Sequence, residues 1–161
     1  MLTTNQKGAI AETMIAARAV QLGIEVLRPV SEGGRYDLAF DVGDRILRVQ
    51  CKWAVRRGDV VVVRSYTSHR GPDGHVHTPY SADEIDLLAA YCQELDTCYA
   101  LPASMVAARR AFSLRLRPAR NNQRTAILWA AQFELGAVAQ LGERVAGSHE
   151  VRGSSPLSST L

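Results

Sequence analysis

The sequence predicts a mixed α/β (α+β) domain: one helix, then a meander of strands with further helices packed against it. Three observations carry this. An alanine-rich stretch near the N-terminus places apolar residues at helical spacing. Residues 35–52 alternate polar and apolar positions about a glycine-containing turn. Residues 81–102 then read as a helix followed by a strand.

Taken in order, Thr4 can cap a helix running to about Leu22, with Ile10, Met14, Ile15 and Leu22 as anchors and Gly23 as its stop. Glu12 sits in mid-helix, where a glutamate is ordinarily solvated. Residues 24–28 make a short strand ended by Pro29. Residues 35–52, RYDLAFDVGDRILRVQCK, form a hairpin. Gly43-Asp44 is a glycine-first pair suited to a two-residue primed turn. With that turn, Val42 faces Arg45 and Asp37 faces Gln50, and Lys52 follows on the same face with period 2.

The hairpin pattern agrees with this register. Leu38, Phe40, Val42, Leu47, Val49 and Cys51 make an apolar face. Asp37, Ala39, Asp41, Arg48, Gln50 and Lys52 make a polar one, with Ile46 the exception. A carboxylate, an amide and an ammonium group therefore converge on one face. A wet hairpin face would look similar, but the chain has seventeen arginines and only two lysines, Lys7 and Lys52. A lysine in mid-strand suggests that a compact point charge is needed there.

Residues 60–63 are the next strand. Residues 65–80 read as a long polar loop with turn chemistry at Pro72-Asp73-Gly74, bracketed by Tyr66 and Tyr80. His69, His75 and His77 lie in it. With no cysteine nearby and no two-by-two ligand spacing, a surface or phosphate-contacting role fits them better than zinc. Residues 81–84, SADE, are a capping box that predicts a helix through Ile85, Leu88, Ala89 and Cys92 to about Leu95. Residues 97–101 and 112–116 read as strands, and residues 125–135 as a final helix. Arg109, Arg110, Arg115, Arg117, Arg120 and Arg124 form a run without an acid, the pattern of a phosphate-tracking surface.

At 161 residues and 47% apolar content the chain suits one globular domain. It has no membrane-length apolar run and no secretory signal. Three cysteines without CxxC spacing read as reduced thiols, so a cytoplasmic setting is expected. A net charge of +3 permits nucleic-acid binding. The domain is expected to span residues 1–135. Residues 136–161 are Gly- and Ser-rich, and their composition predicts a poorly ordered tail. They also resemble the conceptual translation of a transfer-RNA gene: VAQLGER at 138–144 can be encoded by a D-arm-like sequence and GSSP at 153–156 by a T-arm-like one.

A helix with Glu12, a strand with Asp37 and a strand with Gln50-Cys51-Lys52 together resemble the PD-(D/E)XK nuclease superfamily. The likeness is strongest to its group I intron-associated homing endonuclease subgroup. KGAIAE, YDLAF, RVQCK, YSADEID, YALP and the late ILWAAQFE carry the resemblance in order, over residues 7 to about 133. Two departures stand out: Tyr36 replaces the superfamily's proline, and Gln50 stands where most members have an acid, as in the subgroup.

The resemblance implies a restriction-endonuclease-like core and a metal-dependent DNA endonuclease of homing or restriction type. Asp37, Gln50, the Cys51 carbonyl and Glu12 would serve a divalent metal, Mg²⁺ or Mn²⁺. Lys52 would act beside the attacking water, making Glu12, Asp37, Gln50 and Lys52 the catalytic set. Double-stranded DNA would be contacted by Arg64, His69, Arg70, Arg109, Arg110, Arg115, Arg117, Arg120 and Arg124. A homodimer or homotetramer is expected, because one site cuts one strand. The alternatives are a Holliday-junction-resolvase-like nuclease and a catalytically silent DNA-binding module. An RNA nuclease is less favoured, since the sequence offers no aromatic stacking platform.

Overall fold

Helix α1 (Thr4–Gln21) begins one residue earlier than expected, because Thr3 is its cap. The Thr3 hydroxyl accepts from the Gln6 N–H at 3.2 Å, and Gln6 Oε1 accepts from the Thr3 N–H at 2.8 Å, a reciprocal pair that satisfies two otherwise orphaned donors. Ala11, Ile15 and Ala19 make its buried stripe. Gly23 at φ 79° turns the chain out of the helix. The computed structural model describes residues 1–31, 33–106, 109–118 and 126–139, without the side chains of residues 69 and 70.

The strands assemble around β3 (Ile46–Arg57). β1 (Glu25–Leu27) pairs antiparallel with β2 (Leu38–Asp41), and β2 pairs antiparallel with β3 in the expected register, Leu38 opposite Val49 and Asp41 opposite Ile46. The turn is the expected one: Val42 N–H donates to the Arg45 carbonyl at 3.0 Å, and Gly43 has φ 94°. Further along, β3 pairs in parallel with β7 (Leu87–Cys92), which pairs antiparallel with β8 (Thr97–Pro102). The end of β3 pairs with β4 (Val60–Arg64). β4 then pairs with β9 (Ala111–Arg115), and β9 in parallel with β10 (Leu128–Trp129).

Three expectations are corrected. Residues 65–80 are not an open loop: β5 (Tyr66–Gly71) and β6 (Gly74–Pro79) form a separate two-stranded ribbon around the Pro72-Asp73 turn. All six β6 residues are exposed, so no apolar alternation announced the strands.

Residues 85–92 are a strand, not a helix. The capping contact does form, with Ser81 N–H donating to Glu84 Oε2 at 3.1 Å, but it closes only one turn. All six residues of β7 are buried: Leu87, Ala89 and Tyr91 pack on the α1 side, Leu88, Ala90 and Cys92 on the other. A strand covered on both faces is apolar throughout and mimics a buried helix.

The helix expected over residues 125–135 is also absent among the described residues. Ala126 has φ 57°, outside the right-handed helical region. Leu128 and Trp129 then join the sheet, Ala130–Phe133 form a 3-10 turn, and helical backbone begins only at residues 135–139. A single-turn helix, α2 (Ala103–Val106), follows β8. The tail beyond residue 139, where the transfer-RNA-like segment falls, lies outside the described residues.

The sheet thus separates two apolar cores. One joins α1 to Leu38, Phe40, Val49 and Cys51. The other joins Tyr80, Ile85 and Leu88 to Val61, Tyr99, Leu101, Phe112 and Leu114. A polar clamp fixes the start of the β3–β7 pair. Asp86 Oδ2 accepts from the Arg48 N–H at 2.7 Å and Arg48 Nε at 3.0 Å, and Asp86 N–H donates to the Arg48 carbonyl at 2.9 Å. Arg48 also donates to the Ala82 and Asp83 carbonyls.

The Arg48 hydrogen bonds hold the Asp86 carboxyl below its ordinary 3.8. A depressed pKa contributes stability above 3.8 that is lost as pH falls through the folded value. Asp86→Asn is therefore expected to lower the urea midpoint at pH 7. The gap to wild type should close as the pH is taken below 3.8; a deficit independent of pH would assign the clamp to geometry alone.

Candidate active site

Asp37 lies just ahead of β2. Its N–H donates to the Val49 carbonyl at 2.9 Å, which carries the hairpin pairing one step further and sets it beside Gln50. Asp37 Oδ2 accepts from the Cys51 backbone N–H at 2.8 Å and from Gln50 Nε2. Gln50 is 8% exposed, and its Nε2 also reaches the Cys51 carbonyl at 3.3 Å. Both partners are acceptors, so the amide nitrogen has to face them. Two oxygens, Asp37 Oδ2 and Cys51 O, therefore converge on one point that a donor fills. Oxygen pairs of this kind, with an amide beside them, suit a hard divalent cation.

Lys52 completes the group. Its side chain is half-buried on the Gln50 face of β3, with Nζ 5.0 Å from the centre of the Tyr80 ring. Among the described residues it makes no ion pair or hydrogen bond. Burial lowers its pKa; the Asp37 charge opposes this and the Arg35 charge adds to it. Burial raises the pKa of Asp37, against the Cys51 N–H, Lys52 and Gln50, which favour its ionised form. Both groups are thus biased toward neutrality by the same desolvation.

Glu12 stands apart from this face. Its helix packs with Cys51, whereas Gln50 and Lys52 look to the other side of the sheet. Glu12 Oε2 lies 3.7 Å from Arg28 Nη1. Burial, then the charges of Asp37 and Glu12, hold the Cys51 thiol well above its ordinary pKa. The two carboxylates therefore flank one residue of β3, and Glu12 comes from the helix side.

Among the described residues, the candidate DNA-contacting arginines lie at the two ends of β9. Arg64, Arg109 and Arg110 are exposed at the end of the β4–β9 pair next to the ribbon, where Ser65 N–H donates to the Arg110 carbonyl at 3.0 Å. Arg115 and Arg117 lie at the other end of β9, about 13 Å away by strand rise. They do not share a strand face, because β9 stops at Arg115. His69 and Arg70 are on β5, and Arg120 and Arg124 lie outside the described residues. His77 packs edge-on to Tyr66, ring centres 4.4 Å apart. Among the described residues no three His, Cys, Asp or Glu side chains gather as a metal site. The three cysteines are buried free thiols.

Sequence reasoning missed Arg35 and gave Tyr80 and Glu84 other duties. Arg35 Nη2 donates to Glu84 Oε2 at 2.8 Å; Nε lies 2.8 Å from Oε1 as an ion pair, but it is buried and not aligned to hydrogen-bond within the described residues. Its Cζ lies 4.7 Å from the Tyr80 ring centre. Tyr80 is 1% exposed, and its hydroxyl has no partner among the described residues. The S-x-x-E spacing was the one signal available for Glu84. Nothing in the sequence places Arg35 against Tyr80.

Comparison with known proteins gives a family and a fold. Residues 2–136 match the family described as PD-(D/E)XK endonuclease. No curated protein sequence matches the chain. Among solved structures it is similar to the bacterial homing endonuclease I-Ssp6803I, with a TM-score of 0.68 and 22% identity, over 96% of this chain and 100% of that one. At that identity the likeness speaks for the fold.

Because burial raises the Asp37 pKa above 3.8, its ionised form works against folding once the pH passes the folded value. Asp37→Asn in EDTA is expected to melt at or above the wild-type temperature at pH 7. That advantage should vanish below pH 3.8. A lower melting temperature at pH 7 would mean that the carboxylate's hydrogen bonds outweigh its desolvation.

Proposed function

The chain belongs to the PD-(D/E)XK endonuclease family, and on that premise we propose that it is a metal-dependent endonuclease that hydrolyses phosphodiester bonds in double-stranded DNA. The observation that carries this is the convergence of Asp37 Oδ2 and the Cys51 carbonyl on one point, with Gln50 beside it and Lys52 on the same strand. Homing-type cleavage is the form we favour, given the neighbouring fold of a bacterial homing endonuclease.

Asp37, the Cys51 carbonyl and Gln50 would hold the cation, most simply Mg²⁺, with Mn²⁺ as a substitute. When bound, it supplies Lewis-acid polarisation of the phosphodiester and lowers the pKa of a nearby water. The remaining work falls to the chain. Lys52 donates hydrogen bonds toward the attacking water or a phosphate oxygen. Its positive charge offsets the charge that builds up on phosphorus-bound oxygens as the bond to the leaving group breaks. To meet the cation Gln50 would turn its amide, presenting the neutral carbonyl in place of the nitrogen that faces Asp37 and the Cys51 carbonyl, and it would bring less charge than the acid most of the superfamily has there. Glu12 adds a carboxylate from the helix side of the strand that bears Gln50, Cys51 and Lys52.

The ribbon and the arginines beside it serve the duplex. A two-stranded ribbon fits the major groove, and the polar β5–β6 surface offers donors and acceptors for base edges. Arg64, Arg109 and Arg110 at its base would track phosphates, and Arg115 and Arg117, about 13 Å along β9 by strand rise, would reach phosphates a few steps further on. Each chain holds one such site, so cutting both strands calls for a two-fold homo-oligomer.

A catalytically silent DNA-binding module is the rival reading. The neutral Gln50, standing where most of the superfamily has an acid, is what favours it.

A plasmid-nicking assay with Mg²⁺, Mn²⁺ or EDTA separates these readings. Metal-dependent nicking is expected, with Lys52→Ala and Asp37→Ala each lowering the rate by about a hundredfold or more. Cleavage that survives both substitutions would overturn the site. Tight DNA binding without any product, on plasmid and on four-way junctions, would favour the silent module or a target absent from these substrates, and a library of genomic fragments tells those two apart. A preference for junctions regardless of sequence would favour a resolvase. By calorimetry, Gln50→Glu is expected to bind Mg²⁺ or Mn²⁺ more tightly. Unchanged or weaker affinity would remove Gln50 from the ligand set.

A further inference from the structure

Arg35 is bound to both strands of the ribbon at its base. Nη1 donates to Thr67 Oγ1 on β5 and Nη2 to the Pro79 carbonyl on β6, each at 3.2 Å. Glu84 fixes the guanidinium from the turn that leads to β7. Tyr80 follows β6 directly, so its position is tied to the same ribbon. Its ring meets the Arg35 guanidinium at 4.7 Å and the Lys52 ammonium at 5.0 Å. A cation beside an aromatic face is held by the ring's quadrupole, and more firmly when desolvated. Tyr80 is 1% exposed and Lys52 half-buried, so the contact is largely shielded from water. Among the described residues no hydrogen bond or ion pair holds Lys52; it feels the Asp37 charge and meets the Tyr80 ring.

We propose that Tyr80 is the positioning residue for Lys52 and that Arg35 braces its ring from the base of the ribbon. The ribbon, the ring and the lysine then move as one unit, so DNA seated on the ribbon bears on the placement of the ammonium. The ring does the positioning, not the hydroxyl, which finds no hydrogen-bond partner among the described residues. A misplacement of about 1 Å at a reacting group can cost about a hundredfold in rate, which is the leverage such a brace would have. The kinetic part of the proposal rests on the nuclease reading; the structural part does not.

The test uses the chain's own composition. Selective ¹³C-lysine labelling of the full chain gives two Cε resonances, Lys7 and Lys52, assigned with Lys7→Arg. In the wild type the Lys52 Hε protons are expected to carry a ring-current shift. Tyr80→Leu should abolish it, Tyr80→Phe should restore it, and Arg35→Gln should reduce it. The Lys7 resonance, 5.9 Å from the Trp53 ring through Nζ, should not move in any of them, which shows that the fold is intact.

On supercoiled plasmid with Mg²⁺, Tyr80→Leu and Arg35→Gln are expected to lower kcat about ten- to a hundredfold with little change in KM. Tyr80→Phe should recover the rate. A Lys52 resonance that stays at its wild-type position in both Tyr80→Leu and Arg35→Gln would overturn the proposal. So would a Tyr80→Phe chain that loses as much as Tyr80→Leu, since the hydroxyl would then be the working group. If Tyr80→Leu fails to fold, Arg35→Gln, altered at a partly exposed side chain, decides by the same two readouts. Absence of nicking by the wild type on a plasmid library of genomic fragments would sink the nuclease reading and leave the resonance to decide the positioning role.

Discussion

The parallel pairing of β3 with β7 is the constraint on which the rest of this structure depends. It covers one edge of β3 along residues 49–54, where β2 pairs only as far as Val49 and β4 only from Val55, with α1 over one face and the Tyr99–Phe112 core over the other. This pairing cannot shift register without turning six apolar side chains of β7 toward the wrong core. The Arg48–Asp86 clamp sits where this pairing begins and ties backbone to side chain in both directions. Gln50, Cys51 and Lys52 inherit their precision from that strand. A site built on a packed strand holds its geometry better than one built on a loop.

Burial sets the electrostatic character of the site. Asp37 and Lys52 are pushed toward their neutral forms in opposite directions by the same loss of water. Each is partly rescued by the other's charge. The carboxylate takes the Cys51 N–H and the Gln50 amide, while the ammonium takes an aromatic face. Such an arrangement is poised for an added positive charge beside Asp37 and an added negative charge beside Lys52, the two that a metal ion and a phosphodiester would bring. Glu12 lies on the far side of the same strand, where its charge is felt at Cys51.

Much of this was legible in the sequence. The hairpin register followed from one glycine turn and from strict alternation, because in a two-residue turn the pairing of every later residue is forced. Asp37, Gln50 and Lys52 could therefore be placed together from local pattern alone. The first helix was read from its spacing, though its cap lies at Thr3 because Gln6, not Lys7, returns the capping bond. The β7 stretch defeated the same method. Leu87–Cys92 is apolar on both faces, and periodicity holds no information where nothing alternates. The β5–β6 ribbon failed for the opposite reason, being polar throughout β6.

The sequence by itself determined the candidate strand pair, its register and the family, since each rests on residues close together in the chain or on motifs in fixed order. Only the tertiary structure decided what surrounds them. Arg35 meets Glu84 and Thr67 across 49 and 32 residues of chain, and Tyr80 comes to Lys52 because β7 runs parallel to β3 and brings the ribbon's end over that face. The arginine run, continuous in sequence, is divided by the length of β9. Contacts of that kind depend on which strands pair at a distance, and that choice is made by burying two cores at once, not by any local preference.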